Sequence, residues 1–157
     1  MAEQKEVVLL TGASGSMGFE TFKLLWEKRD RFDIVLLLRP SWKNKRQFKK
    51  YVHEVSRDGS GAGSLRIVWG DALNREDVAE ACRGIDWCLH TMALISPAAD
   101  RQPEMAELIN ARATRYLVEA IEAQDPDHIK FVHIGTIAEY GDRLAPVHVG
   151  RTGDPVI

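Results

Sequence analysis

Hydrophobic positions along this 157-residue chain cluster into five short runs: Val7 to Leu10, Ile34 to Leu38, Leu65 to Val68, Trp87 to His90 and Phe131 to Ile134. A glycine or polar break follows each run, as expected where strands end in loops. Between the runs the apolar period lengthens to three or four residues, which predicts helices at about Met17 to Lys28, Gln47 to Val55, Arg75 to Cys82 and Pro103 to Ala123. In the last of these, Met105, Leu108, Ile109, Leu117, Val118 and Ile121 form one stripe that should pack on a sheet. No internal repeat is visible.

Strand and helix alternate throughout, so consecutive strands should run parallel. The runs lack polar alternation, as in strands covered by helices on both faces. These features predict an α/β fold: a Rossmann-type doubly wound parallel sheet in three αβα layers, strand order 3-2-1-4-5, incomplete on its C-terminal side. Residues 1–141 would form that domain and residues 142–157 an irregular tail, since the Gly- and Pro-containing sequence after Tyr140 loses periodicity. The GSGAGS segment, Gly59 to Ser64, reads as a mobile connection into the third strand.

Composition narrows the function classes. A 45% hydrophobic chain of this length has room for one core. Net charge −2 and a pI near 6.2 argue against a general nucleic-acid or membrane-surface binder, so any basic site must be local. No apolar run approaches the roughly 20 residues of a membrane span, and MAEQKEVVLL reaches its strand too soon for a signal peptide. Cys82 and Cys88 form neither a CxxC pair nor a disulfide framework, and no metal-ligand constellation emerges. A soluble, cytoplasmic protein is expected.

Candidate chemistry starts at VVLLTGASGSMG, where a strand empties into glycines spaced three apart before a helix. Such a turn aims a helix N-terminus at the sheet edge, and free N–H groups with the positive end of the dipole hold a diphosphate. Gly12 would permit the turn, Gly15 the approach of phosphate and Gly18 close helix packing, with Ser14, Ser16 and Met17 between them. At the end of the second run, LLLRPS offers Arg39 where an NAD-preferring site usually has a carboxylate. Its guanidinium could clamp a 2′-phosphate, which favours NADP over NAD; the alternative is a solvated arginine. Lys43, Lys45, Arg46, Lys49 and Lys50 read mainly as a solvated helix face, with Lys43 or Lys45 open to assist at the phosphate.

Asp71, beside Ala72, can accept from an adenine amino group, unless Asp71 or Asn74 caps the following helix. Thr91, Met92 and Ala93 lie along the expected cofactor path or pack in the core. His90 and His133 read as buried, hydrogen-bonded histidines, and Asn110, awkward inside a helix, as a tie to neighbouring backbone.

Taken together, the motifs resemble the extended short-chain dehydrogenase/reductase family, which includes NAD-dependent epimerases and dehydratases. TGASGSMG is similar to its TGxxGxxG and GDALNREDVAEACRGIDWCLHTMA to its acidic-residue, helix and GxDxVxHxAA passage. NARATRYLVEA resembles its Asn-containing helix, and FVHIGTIAEYG its fifth strand with a Ser/Thr motif, so the resemblance spans residues 6 to 141. It implies hydride transfer between nicotinamide and a hydroxyl or carbonyl of a small-molecule substrate, with Thr136 as the hydroxyl that bonds the substrate oxygen. The family's YxxxK motif is absent: Tyr140 begins YGDRL, with Leu144 at the Lys position, and the catalytic Tyr of relatives would fall just beyond Ile157. Met92 replaces a common alanine and Gly135 a frequent hydroxyl residue. The chain is therefore expected to bind cofactor without turnover and to expose apolar surface that favours self-association, a homo-oligomer included. The alternative is a non-catalytic dinucleotide-sensing or protein-binding module.

Overall fold

Five parallel strands in the order β3-β2-β1-β4-β5 form the sheet of the computed structural model, which describes residues 5–57 and 64–136. The strands are β1 (Glu6–Thr11), β2 (Phe32–Leu38), β3 (Leu65–Trp69), β4 (Trp87–His90) and β5 (Lys130–His133). The predicted strand order holds. Register is set at the centre, where Leu9 of β1 lies opposite Val35 of β2 on one side and Cys88 of β4 on the other. All three are fully or almost fully buried, so a slip of one residue would turn this row toward the wrong helix layer.

Two cores cover the two faces. On one, α1 (Ser16–Glu27) and α2 (Trp42–Arg57) pack Phe22, Trp26, Phe48 and Tyr51 against Leu10, Ile34, Leu36 and Leu38. Phe22 meets Tyr51 edge-on at 4.7 Å and Phe48 at 5.1 Å, the geometry in which a ring's positive rim meets a negative face. On the other, α3 (Arg75–Ala81) and α6 (Ala113–Glu122) bury Val78, Ala81, Leu117 and Ile121 against Leu9, Val35 and Leu37. Both cysteines lie in this second core as free thiols, and burial raises both pKa values, that of Cys82 to about 11.

Several elements differ from the sequence reading. Helix α2 begins five residues before Gln47, because Ser41 Oγ accepts from Asn44 N–H at 3.1 Å while Asn44 Nδ2 donates to Arg39 O at 2.8 Å. Its inward-facing first-turn residue is thus a buried polar one, which an apolar-period search passes over. The five cations singled out there are exposed on this helix. A short helix, α4 (Ala98–Arg101), precedes α5 (Pro103–Glu107), and a π turn over Leu108–Arg112 joins α5 to α6. The added residue rotates the stripe: Leu117 and Ile121 are buried on the sheet, whereas Met105 is 42% exposed.

His90 is buried as expected, but His133 is exposed, because β5 is the outer strand and three of its four residues are exposed. The two rings stack at 5.3 Å. The GSGAGS residues before Ser64, Tyr140, Gly141, Leu144 and the 142–157 tail lie outside the described residues.

Burial, aided by the nearby His133, lowers the pKa of His90 from 6.5 to about 4. An unfolded histidine takes up a proton near pH 6.5, so between pH 6.5 and 4 the unfolded chain binds more protons than the folded one. Stability should fall across that window as pH drops, by up to about 3 kcal/mol from this group, and this contribution should be flat above it. An NMR titration of the His90 ring checks the basis: a neutral ring at pH 5.5 is expected, and an imidazolium at pH 6 would contradict it.

Candidate functional site

The polypeptide reverses its path across the sheet between β1 and β4, and at such switch points a crevice opens outside the carboxyl ends of parallel strands. Here it is a cleft of about 430 Å³. Its floor is the glycine turn. Thr11, 1% exposed, ends β1, and Gly12 turns the chain with φ +76°, a left-handed conformation costly for any residue with a Cβ. Space forbids a side chain there as well, since an added Cβ would come within 2.7 Å of Met92 N. At Gly18 the constraint is tighter: an added Cβ would sit 2.1 Å from Gly12 O and 2.8 Å from Thr91 Oγ1.

This close approach brings the start of α1 to the cleft. Gly15 is the N-cap residue, no side chain caps the first turn, and no acidic residue lies in it. The first N–H groups of a helix have no partner within the helix, so this end presents uncapped donors and the positive end of the dipole.

Around the floor, Arg39 and Asp71 are the only charged residues lining the cleft among the described residues. Arg39 is exposed at the end of β2, and its carbonyl is held by Asn44 Nδ2, which fixes the turn into α2. Asp71 follows β3, accepts from Leu73 N–H at 2.9 Å and donates its own N–H to Asp77 Oδ2 at 2.8 Å. Capping of α3 falls to Asn74, whose Oδ1 accepts from Glu76 and Asp77 N–H. Of the two residues that could cap this helix, Asn74 holds the N-cap position and Asp71 lies outside it. Thr91 Oγ1 donates to Thr11 O at 2.8 Å, stapling the β4 loop to β1, while Met92 both lines the cleft and packs on the core.

Of the residues singled out in the sequence, Gly12, Ser14, Gly15, Arg39, Asp71, Ala72, Thr91, Met92 and Ala93 line this one cleft. Ser16, Met17 and Gly18 do not line it: they form the first turn of α1, with Met17 58% exposed and Gly18 buried. Thr136 is exposed three residues after β5 and is not among the lining residues. Lining residues missed in the sequence are Leu37, Leu38, Asn44, Gly70, Leu94, Gln102, Met105 and Ile109. Leu94 left a signal in Asn110, whose Oδ1 accepts from Leu94 N–H at 2.7 Å and whose Nδ2 donates to Leu94 O at 2.9 Å. Asn110 is thus the backbone tie its position suggested.

Among the described residues, no group of three His, Cys, Asp or Glu side chains could hold a metal ion, and no helix is long and apolar enough to cross a membrane.

A five-stranded parallel sheet with a glycine turn at its switch point defines a Rossmann-type domain. The chain belongs to the NAD dependent epimerase/dehydratase family, whose model matches residues 8–154. Among solved structures it is similar to UDP-N-acetylglucosamine 4-epimerase from Methanobrevibacter ruminantium, with TM-score 0.70 and 20% identity over 99% of this chain and 44% of that one. ADP-L-glycero-D-manno-heptose-6-epimerase from Helicobacter pylori gives TM-score 0.66 and 21% identity over 96% of this chain and 45% of that one. UDP-glucuronic acid 4-epimerase from Bacillus cereus, solved with UDP-glucuronic acid and NAD, gives TM-score 0.61 and 25% identity over 90% of this chain and 44% of that one. The chain thus spans less than half the length of each of these proteins.

In most helices Gly→Ala stabilises, by up to about 1 kcal/mol. Gly18→Ala should do the reverse and lower stability by roughly 1–3 kcal/mol, because the added methyl meets backbone that cannot move aside. Urea denaturation of the variant against wild type reads the sign directly.

Proposed function

We propose that the cleft binds a nicotinamide dinucleotide, NADP in preference to NAD, and that the chain is the cofactor-binding part of an oxidoreductase, epimerase or dehydratase. The observation that carries this reading is the glycine turn: two positions where a Cβ would strike backbone place an uncapped, acid-free helix start beside a cleft that also holds Arg39 and Asp71. The residues fit the group. Backbone N–H groups at Ser16 and Met17 would hold the diphosphate, while the Gly15 N–H donates to Gly12 O at 2.9 Å and closes the turn; Asp71 with Ala72 would receive the adenine. Arg39 would clamp the 2′-phosphate through paired N–H donors, in a cleft where Asp71 is the only negative charge among the described residues. When bound, such a cofactor supplies hydride acceptance and donation at the nicotinamide ring.

Thr136 leaves the carboxyl end of β5, at the same edge of the sheet, and would hydrogen-bond the substrate oxygen. The substrate is a small molecule with a hydroxyl or carbonyl group, and the UDP-sugars named for two solved relatives make a sugar nucleotide the first to test. We place the protein in the cytoplasm, acting on a small molecule and open to homo-oligomer formation. The second reading is a non-catalytic dinucleotide-sensing or protein-binding module. Turnover of a UDP-sugar by the 157-residue chain at the rate of full-length relatives would refute both that reading and the expected inactivity.

Calorimetric titration with NADP and NAD tests the cofactor. NADP should bind more tightly, and Arg39→Ala should weaken NADP about 10- to 100-fold, as expected for a lost charged hydrogen bond, with NAD little affected. Equal affinities before and after the substitution would remove Arg39 from the site.

A further inference from the structure

Beneath the cleft runs a chain of hydrogen bonds between side chains that the cofactor reading leaves without a role. His90 Nδ1 lies 2.6 Å from Thr11 Oγ1, and its Nε2 lies 2.8 Å from Thr114 Oγ1. Thr11 and His90 are each 1% exposed, so water does not compete for the bond between them, while the bond to Thr114 is partly buried.

Proton count fixes the direction. Thr114 has one hydroxyl proton and donates it to Asn110 O at 2.7 Å, so toward His90 its oxygen accepts. His90 must then carry its proton on Nε2. The neutral ring leaves Nδ1 as an acceptor, which takes the proton of the Thr11 hydroxyl. The sequence runs one way, from Thr11 through His90 and Thr114 to the carbonyl of Asn110.

That carbonyl lies within the π turn, where Ala113 N–H reaches back to Leu108 O. A threonine bonded to the carbonyl four residues earlier bends a helix locally, so the Thr114 hydroxyl supports the turn that aims Asn110. From there Asn110 grips Leu94 by both its N–H and its C=O. Leu94 and Ile109, the residue before Asn110, both line the cleft.

We propose that His90 is a positioning residue: through Thr114 it holds the π turn whose Asn110 side chain fixes the Leu94 wall of the cleft. Its ring neither donates to nor accepts from a ligand. The proposal rests on the reading of this cleft as a dinucleotide site, but its first two readouts need no ligand.

The test uses the whole ¹⁵N-labelled chain. Long-range ¹H–¹⁵N correlation without ligand should show His90 as the Nε2–H tautomer at pH 7; a ring protonated on Nδ1 would overturn the proposal. Thr114→Val, which removes both bonds of the hydroxyl, should speed hydrogen exchange of the Leu94 amide at least about tenfold and weaken NADP about five- to tenfold. Thr114→Ser should restore both. Wild-type exchange at Leu94 in the folded valine variant, or failure of serine to restore it, would refute the positioning role. If Thr114→Val does not fold, Asn110→Asp takes its place, because it keeps the shape and removes the donor to Leu94 O; the same two effects are expected and their absence refutes the role. A wild-type chain that binds neither NADP nor NAD refutes the cofactor reading instead, and the tautomer and Leu94 exchange still decide the positioning arrangement.

Discussion

No side chain fits between the end of β1 and the start of α1. The carbonyl of Gly12 lies 2.1 Å from where a Cβ of residue 18 would be, so the helix can begin where it does only if that residue is glycine. Much else depends on this contact. It sets the angle at which α1 leaves the sheet and therefore which face Phe22 and Trp26 turn toward Leu10 and Leu36. It also holds Thr91 beside the glycine turn, and the hydrogen bond from Thr91 Oγ1 to Thr11 O fastens the β4 loop at the same point. Floor and wall of the cleft are thus one packing problem, solved by the absence of two methyl groups.

The rest of the cleft is held by polar side chains bonded to backbone. Asn44 fixes the carbonyl of Arg39, Asn74 caps α3, and Asn110 grips Leu94. Asparagine suits this role because its amide both donates and accepts, and can stand in for a strand partner or a turn. These ties leave the outward surface of the cleft to Arg39, Asp71 and uncapped helix N–H groups, the groups a phosphate-bearing ligand would meet.

What could be read in the sequence follows from range. Strands betray themselves by apolar runs, and β4 is found at Trp87 to His90 as the run predicts, while parallel pairing follows from alternation of strand and helix. The glycine turn is legible because close approach demands a particular residue type at a fixed spacing. Harder to see are features created by partners far along the chain. The early start of α2 depends on Ser41 and Asn44, polar residues that an apolar period ignores. The π turn depends on side-chain bonds of Thr114 and Asn110, and it sends Met105 and Ile109 to the cleft although they fit the stripe for the sheet. His133 shares an apolar run with Phe131 but lies on the outer strand, where no further strand in the described residues covers it.

The central claim is that the start of α1 receives a diphosphate, and backbone amide shifts read it most directly. In ¹H–¹⁵N spectra of the 157-residue chain titrated with NADP, the largest saturable changes should fall on Ser16 and Met17, the first two residues of α1. Changes confined to the exposed cations of α2, with those two amides unmoved, would contradict it.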